Sequence, residues 1–200
     1  DDLSTGYEPQ RAPFDKLHLL SNASVFLHWS NHHFTDGHRH EDGAIAGFNT
    51  IVIDVDSGRL SIEFIKQVLK DYTFFLHTTK RSTAEEPRFR LVMPMSHELK
   101  LDAKDYKEFM AAVSDWLPFE TDKSAQQRAR KWLTNPNGTY HYNDGQLLDV
   151  LPFIPKTTKN EERKKVLETQ QQLDNLERWF VNNSGDGNRN NMLLRYASVL

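Results

Sequence analysis

Short apolar runs along this chain predict an alternation of strands and helices. Strands are predicted at 24–29, 51–55, 73–79 and 89–93, where β-branched or aromatic residues dominate. Pro94 is expected to end the last of them, since proline cannot donate a hydrogen bond within a sheet. An Asn-Asp-Gly turn at 143–145 separates the strand-like segments 139–142 and 146–150, which is a strong hairpin signal.

Other segments place apolar residues three or four positions apart, the spacing of an amphipathic helix. The segment 61–70 shows this spacing after Ser61, a suitable N-cap. Further helices are predicted at 102–117, 126–133 and 166–182. The core face of the helix at 102–117 is expected to consist of Tyr106, Phe109, Met110, Val113 and Leu117.

The order of these elements predicts a compact α+β or α/β core, because strands and helices alternate at short spacing. From Pro152 the composition changes, and the charged run 156–165 has the character of a linker. We therefore divide the chain into a core at 1–155 and a helical segment at 156–200. We also expect the chain to be part of a longer protein, because it stops inside an apolar helical pattern.

Composition narrows the classes of protein to consider. The 200 residues are 38% hydrophobic and 26% charged, and no apolar run approaches the roughly 20 residues needed to cross a bilayer. Cysteine is absent, which excludes disulfides and thiolate metal sites and fits a reducing, cytoplasmic setting. The net charge of -3 means that a nucleic-acid partner would have to be bound by a local basic surface.

The clearest chemical feature is a pair of aspartates at the end of the strand predicted at 51–55. Asp54 and Asp56 lie two positions apart, so they share one face of an extended chain. Two ionised carboxylates this close repel each other unless a cation lies between them, and Mg²⁺ or Mn²⁺ prefers oxygen ligands. The pair is therefore either a divalent-cation site that also holds phosphates, or the solvated end of a strand entering the turn at Ser57 and Gly58.

Two further clusters combine basic and acidic residues. In the hairpin predicted between 73–79 and 89–93, Arg88 and Arg90 would share a face and suit bidentate phosphate contacts; an exposed hairpin with solvated arginines is the alternative. Farther along, Asp122 is a candidate third carboxylate. The basic residues that follow it, suited to a phosphate backbone or simply to a charged loop and helix, are Arg128, Arg130 and Lys131.

Together these segments resemble the catalytic domain of archaeo-eukaryotic-type primases, the primase-polymerases of phages, viruses and plasmids. The resemblance extends from about residue 46 to the end of the chain. Asp54 and Asp56 match the hydrophobic-Asp-hydrophobic-Asp strand of the family. The family's third aspartate, its arginine-containing helix and its Asn-Pro segment are matched by Asp122, Arg128 or Arg130, and Asn135 with Pro136.

Other motifs of the family occur in the same order. Its Thr-Thr-x-Ser-His-Thr and Pro-Arg-Phe-Arg motifs are matched by Thr78, Thr79, Thr83 and 87–90. Its Gly-x-x-Leu-Asp motif is matched at 145–149, and the tail at 187–194 is similar to the start of the helical C-terminal domain of primases.

The resemblance implies an RRM-like mixed sheet and a nucleotidyltransferase that synthesises primers on single-stranded DNA from NTPs or dNTPs. It implies that Asp54, Asp56 and Asp122 are catalytic and hold Mg²⁺ or Mn²⁺. Nucleotide-binding residues would be His77, Lys80, Arg81, Ser82, Arg88 and Arg90. Nucleic-acid contacts would come from Arg128, Arg130 and Lys131, with Trp132, Tyr140 and Tyr142 either stacking on bases or packing in the core. A replicative helicase, fused or separate, is the implied protein partner.

One position departs from the family pattern. The histidine that contacts nucleotide phosphates in the family falls on Ser82 in this chain. Lys80 and Arg81 could supply the positive charge instead, or His77 could reach in from the same hairpin. The phosphate site is therefore either rebuilt from these residues, or activity is weak or lost, which would leave a degenerate single-stranded DNA-binding module.

A histidine cluster supports a different interpretation. Five histidines lie close together in the sequence: His28, His32, His33, His38 and His40. The His38-Arg39-His40 segment is similar to the metal motif of rolling-circle replication nucleases, with Tyr106 or Tyr140 as nucleophile, although Arg39 stands where that motif has a hydrophobic residue. A zinc site and a solvated polar loop, with Arg39 touching a nucleotide phosphate, are the other interpretations of this cluster.

Overall fold

The computed structural model describes residues 3–21 and 25–183, and the tail predicted to begin a helical domain, 187–194, lies outside them. The chain divides into two compact units, the first ending at Ile154 and the second beginning at Pro155. The boundary predicted after residue 155 is adjacent to this division. None of the helices in the described part of the chain is both long enough and apolar enough to cross a membrane.

Strands and helices are mixed in the first unit, so the predicted α+β class is confirmed at that level. Its strands are β1 (His28–Trp29), β2 (Phe48–Val55), β3 (Phe74–Thr78), β4 (Phe89–Leu99), β5 (Trp132–Leu133) and β6 (Tyr140–Asn143). Its α-helices are α1 (His18–Ser21), α2 (Ile62–Val68) and α3 (Ala103–Trp116), and the second unit contains α4 (Thr158–Asn183).

The centre of the first unit is a four-stranded antiparallel sheet in the order β2-β4-β3-β6. Alternate residues point to opposite faces of such a sheet, and the face that includes Ile51, Ile53 and Leu91 is buried. Helix α3 packs beside β2, where the rings of Phe48 and Phe109 lie 5.8 Å apart. This arrangement explains why the predicted apolar face of α3 is buried throughout.

The opposite face of the sheet carries Val52, Phe75 and Val92, which form one buried cluster with Trp132. Trp132 belongs to a separate two-stranded ribbon in which β5 pairs with β1. The partly buried side chains that pack against this cluster are Phe14, Leu17 and Trp29. The ribbon and the N-terminal segment thus cover part of the face on which the predicted site lies.

Two helices begin where the sequence predicts. The Ser61 hydroxyl accepts a hydrogen bond from the backbone N–H of Phe64 and caps α2. The carboxylate of Asp102 accepts from the backbone N–H of Asp105 and caps α3 in the same way. These starts depend on local hydrogen bonds, which is why local sequence reveals them.

The prediction that Pro94 ends its strand is wrong, because β4 continues to Leu99. Pro94 is paired with Thr50 of β2 next to a register shift between Phe48 and Thr50. Proline is tolerated at such an irregularity because no regular ladder hydrogen bond is required of its nitrogen there. The Pro94 carbonyl oxygen still accepts from the N–H of Leu148, at 3.1 Å.

The predicted hairpin around 143–145 is also wrong. Strand β6 pairs with β3, and the residues after the turn make only isolated parallel bridges, Tyr72 with Gln146 and Met95 with Leu148. The Asn143 side chain donates to the carbonyl oxygen of Tyr72, at 2.6 Å, and so holds the turn at the end of the sheet. The turn therefore leads the chain across the sheet end rather than back along β6.

Three other predicted segments differ from the structure. The segment 126–133 is not a helix, because its last two residues form β5 by pairing with β1. Of the strand predicted at 24–29, only His28–Trp29 is a strand among the described residues. Most of the charged run 156–165 is not a linker but the first turns of α4, since lysine, arginine and glutamate are good helix formers.

Candidate active site

The candidate site is built on a row of four residues that crosses the sheet. Asp54 of β2 pairs with Arg90 of β4, Arg90 pairs with His77 of β3, and His77 pairs with Tyr140 of β6. Directly paired residues in adjacent strands point to the same face. Four side chains from distant parts of the sequence therefore lie in one row on the same face, from β6 at one edge of the sheet to β2 at the other.

Asp54 and Arg90 form an ion pair that is largely shielded from solvent. Arg90 Nε lies 3.5 Å from Asp54 Oδ1, and Arg90 Nη1 donates to the carbonyl oxygen of Leu133 at 2.7 Å. Asp54 is only 8% exposed. Burial raises the pKa of the Asp54 carboxyl group. The positive charge of Arg90 lowers this pKa, whereas the negative charges of Asp56 and Asp122 raise it further.

Asp56 lies just beyond the end of β2, where the chain leaves the sheet. Arg88 Nη1 donates to Asp56 Oδ1 at 3.0 Å, and Arg88 Nη2 lies 3.3 Å from a Glu86 carboxylate oxygen. The Asp56 side chain is 44% exposed, in contrast to Asp54. Gly58 follows at a φ of +70°, a conformation that favours glycine and turns the chain away immediately after this residue.

Asp122 is brought to the same end of the sheet by the main chain. Its backbone N–H donates to the carbonyl oxygen of Asp54 at 3.0 Å. Its carboxylate accepts from the backbone N–H and the hydroxyl of Ser124, at 2.8 and 2.9 Å. The three aspartates that the sequence predicts to form one site therefore lie near one another. Asp56 and Asp122 are close enough to Asp54 for their charges to raise its pKa.

The donor chemistry of this cluster fits a hard divalent cation, because three carboxylates supply oxygen ligands. Among residues 3–21 and 25–183, however, no group of three or more histidine or acidic side chains lies positioned to hold a metal ion. Asp54 and Asp56 face Arg90 and Arg88 instead. Binding a cation between the carboxylates would require these arginines to move to another anion.

The Trp132 ring contacts two of the arginines of the site. The Arg90 guanidinium lies 5.3 Å from the centre of its ring and that of Arg130 lies 5.5 Å from it. Both distances are within the range of cation–π contacts. Trp132 is only 2% exposed, so it is a support for the arginines and not a surface on which a base can stack.

The three basic residues predicted to contact nucleic acid occupy different environments. Arg128 is buried: its Nε donates to a Glu41 carboxylate oxygen at 2.9 Å and its Nη2 to the Glu41 carbonyl oxygen at 2.9 Å. Arg130 lies close enough to Asp54 for its positive charge to lower the pKa of that carboxyl group. Lys131 is half-buried and lies near His28, whose pKa is lowered by burial and by Lys131.

The hairpin between β3 and β4 carries the predicted nucleotide-binding residues. His77 is 2% exposed, and burial, assisted by Arg90, lowers its pKa to about 4, so the ring is neutral at pH 7. The Ser82 hydroxyl accepts from the backbone N–H of Arg88, at 3.0 Å, and stabilises the turn. Lys80 and Arg81 are exposed at the tip, with Lys80 Nζ 5.4 Å from the ring centre of Phe26.

Two tyrosines considered for base stacking already have aromatic partners. His18 stacks on Tyr140 with ring centres 5.3 Å apart, and Phe14 lies 6.3 Å from Tyr142. Tyr140 is nevertheless 46% exposed. Tyr140 is therefore partly accessible to a ligand, at the β6 end of the row that includes Asp54.

The histidine cluster does not form a metal site among the described residues. His32 is buried against Phe48 and Tyr106, and burial lowers its pKa to about 4. The segment from His38 to His40 lies between two 3₁₀ turns and not on a strand. Tyr106 is buried, which raises its pKa to about 12 and leaves it inaccessible as a nucleophile, whereas Tyr140, the other candidate nucleophile, is 46% exposed.

Sequence reasoning missed the link between Arg130 and Trp132. The two residues lie two positions apart in the sequence, and the Arg130 guanidinium lies 5.5 Å from the centre of the Trp132 ring. The short spacing of Arg130 and Trp132 is visible in the sequence. The prediction of a helix at 126–133 hid their contact, because residues two positions apart in a helix lie on different faces. Glu41, which holds Arg128, carries no local signal because its partner lies far away in the sequence.

Comparison of the chain with family models, with curated proteins and with solved structures finds no match.

Proposed function

We propose that this protein is a primase-polymerase that synthesises primers on single-stranded DNA by metal-dependent nucleotidyl transfer. The observation that supports the proposal best is the meeting of Asp54, Asp56 and Asp122 at one end of an antiparallel sheet. Asp122 comes from a loop after α3, whereas Asp54 lies in β2 and Asp56 just beyond its end, so distant parts of the chain supply the three carboxylates. Arginines from a third segment, β4 and the residue before it, lie opposite the carboxylates.

Asp54, Asp56 and Asp122 would hold the divalent cations, Mg²⁺ or Mn²⁺. When bound, the cations would supply Lewis-acid activation of the primer 3′-hydroxyl and neutralise charge on the triphosphate. Arg88 and Arg90 would exchange their carboxylate partners for phosphate oxygens of an NTP or dNTP, with the bidentate geometry that guanidinium groups favour.

The template would be single-stranded DNA, and two exposed features suit it. Lys80 and Arg81 are exposed at the hairpin tip, where Lys80 lies beside the aromatic ring of Phe26, and Tyr140 is 46% exposed. Cations interleaved with aromatic rings are typical of single-strand binding. Within a cell the protein would act in the cytoplasm, alone or with a replicative helicase, fused or separate.

A non-catalytic single-stranded DNA-binding module is the second candidate. It is favoured by Ser82, which stands where the primase family has a phosphate-contacting histidine and which caps the hairpin backbone instead. It is also favoured by the arginines that neutralise the carboxylates. Such pairs would be stable without any cation or nucleotide.

One assay separates the candidates. The protein is incubated with single-stranded DNA, Mg²⁺ or Mn²⁺ and labelled nucleotides, with and without a supplied primer. Oligonucleotides formed without a primer support the primase, and extension of a supplied primer alone indicates a polymerase that does not initiate. Binding of DNA without incorporation supports the binding module, and cleavage with a covalent tyrosine adduct would support the nuclease.

The variant that tests the role of the carboxylates is Asp56→Asn. The Asp56 side chain is exposed, so its replacement leaves the buried Asp54–Arg90 pair intact. Incorporation should be lost while single-stranded DNA affinity and the unfolding midpoint stay unchanged. Incorporation at the wild-type rate by this variant would rule out the carboxylate-dependent mechanism.

A further inference from the structure

A run of three apolar residues precedes β1 and lies on the surface. Val25, Phe26 and Leu27 are all exposed, although valine, phenylalanine and leucine are among the residue types most often buried. Single exposed apolar residues are common in soluble proteins, but a contiguous run marks a binding surface or a site of aggregation. The run is therefore a candidate interaction surface.

One edge of this segment already has a partner. The backbone N–H of Thr134 donates to the carbonyl oxygen of Leu27 at 2.9 Å, and the N–H of Leu27 donates to the Thr134 hydroxyl at 2.8 Å. The pairing continues into the β1–β5 ribbon as far as Trp29. In an antiparallel ladder every second residue directs its N–H and C=O to the partner strand, so those of Leu27 and Trp29 face β5.

The other edge is open in the described part of the chain. The backbone N–H and C=O groups of Phe26 and His28 point away from β5, and within residues 3–21 and 25–183 they have no main-chain partner. An open strand edge offers donors and acceptors in alternation, which an extended polypeptide satisfies with its own main chain. A phosphodiester backbone has no N–H donors. The edge therefore favours a protein segment over a nucleic acid.

The two faces of the segment differ in chemistry. Side chains alternate along an extended chain, so Leu27 lies on the same face as Trp29, and Phe26 on the same face as His28. The first face is apolar, because Trp29 packs against the buried cluster of the sheet. The second face carries positive charge, because Lys80 Nζ lies 5.4 Å from the centre of the Phe26 ring.

Further positive charge lies beside His28. Burial lowers the pKa of His28, and the charges of Lys131 and Arg39 lower it further, so both cations are near this end of the segment. Among the residues that the structure describes, Lys80 and Lys131 form no ion pair with a carboxylate. An acidic partner would therefore be attracted to this face, whereas a second copy of the chain would bring like charges together.

We propose that the open edge of 25–28 is a docking site for an acidic, apolar segment of another protein, which adds to the β1–β5 ribbon as a third strand. Its apolar side chains lie beside Leu27, and its carboxylates lie beside His28 and Lys80. Such a segment alternates apolar and acidic residues, because successive side chains of a strand point to opposite faces. This interaction goes beyond the proposed function, and its test needs neither nucleotide nor metal ion.

The probe is a fluorescent peptide in which valine and aspartate alternate, titrated with the full chain and followed by anisotropy. Two control peptides carry lysine in place of aspartate, or the same residues arranged in one apolar and one acidic block. Both controls should bind at least about tenfold more weakly than the alternating peptide. Failure of the alternating peptide to bind at about 1 mM, or equal binding of all three peptides, would overturn the proposal.

Methylation of the peptide backbone tests the addition of a strand. In a strand the N–H groups that face one way belong to alternate residues, so methylating either the valine or the aspartate nitrogens removes one set at a time. One methylated peptide should bind like the parent, and the other should lose about tenfold, the scale of two or more lost hydrogen bonds. Equal affinities for the two methylated peptides would contradict strand addition.

Variants of the chain locate the surface. Leu27→Thr should weaken peptide binding about fivefold because it removes apolar contact, and Lys80→Gln about threefold because it removes a charge. Leu147→Thr, the same change at another exposed leucine, is the matched control and should leave the affinity unchanged. All three side chains are exposed, so the unfolding midpoints should stay close to that of the wild type. Unaltered peptide binding by both Leu27→Thr and Lys80→Gln would rule out this edge.

Single-stranded DNA and a second copy of the chain are the competing occupants. Leu27→Thr is used for this comparison, since Lys80 is also a proposed template contact. This variant should bind labelled single-stranded DNA as the wild type does and should have the same oligomeric state in sedimentation velocity. Loss of DNA affinity in a protein that does not bind the peptide would assign the edge to DNA. An oligomer that dissociates in the variant would assign it to a second copy, and either result overturns the proposal.

Discussion

Asp54 and Arg90 stand directly opposite each other on neighbouring antiparallel strands, and Arg90 Nε lies 3.5 Å from Asp54 Oδ1 in a place shielded from water. Each charge is tolerated there because the other is present. Asp54→Ala should therefore lower the free energy of unfolding by about 1–3 kcal/mol, since it leaves Arg90 buried without its counter-charge. Urea unfolding at pH 7 measures this loss.

The control for this first prediction is a double variant, Asp54→Val with Arg90→Leu. Removing both charges leaves no buried ion unpaired, so the double variant should be more stable than Asp54→Ala. An Asp54→Ala protein more stable than the wild type would mean that repulsion among the carboxylates outweighs the pair.

The second prediction concerns pH. His32 and His77 have pKa values lowered to about 4, chiefly by burial, against 6.5 for the free side chain. The unfolded chain therefore binds protons more readily, so the free energy of unfolding is highest above pH 6.5 and falls as the pH drops toward 4. Each histidine contributes up to about 3 kcal/mol to this fall.

Urea unfolding at pH 7.5, 6 and 5 measures the fall, and His77→Gln should reduce its size. The comparison is best made in an Asp54→Asn background, because Asp54 has a raised pKa and its own titration acts in the opposite direction. A fall that is equally large in the His77 variant would show that this ring does not titrate between folded and unfolded states.

The third prediction concerns metal binding without nucleotide. Because Arg88 donates to Asp56, it competes with a cation for that carboxylate. Arg88→Met, which keeps an unbranched side chain without charge, should bind Mn²⁺ more tightly than the wild type, and Asp56→Asn should bind it more weakly. Paramagnetic resonance of free Mn²⁺ measures both affinities. Weaker binding by Arg88→Met would show that the arginine does not compete.

The fourth prediction concerns the division of the chain. A protein ending at Pro155 retains the sheet, α2, α3 and the buried residues Leu151 and Ile154. It should unfold cooperatively, with a melting temperature within about 3 °C of the first transition of the full chain. Circular dichroism measures this, and loss of the cooperative transition would show that α4 belongs to the same core.

The parts of the fold that could be predicted are those whose signal is local. The β-branched run of β2 and the N-caps of α2 and α3 lie in the residues that form them. Trp132 and Leu133, in contrast, are strand residues because they pair with Trp29 and His28 about a hundred positions earlier. Such a partner overrides local propensity, and no short window of sequence contains it.

The same distinction applies to the candidate site. The aspartate pair of β2 could be identified from its own spacing. The approach of Asp122 depends on a hydrogen bond from its main-chain N–H to the Asp54 carbonyl oxygen. Main-chain groups are the same in every residue except proline, so residue identity carries no record of this contact. The cation–π support of Arg90 and Arg130 by Trp132 depends likewise on the pairing of β5.

The anchoring of Arg128 by Glu41 has an entropic consequence for its neighbour. Ordering the backbone of one free residue costs about 1–2 kcal/mol, and a loop that must be ordered by its ligand weakens binding by that amount for each residue. The segment of Arg130 is already ordered by Glu41 on one side and by the β1–β5 ribbon on the other. An anion that meets Arg130 therefore has to restrict only a side chain.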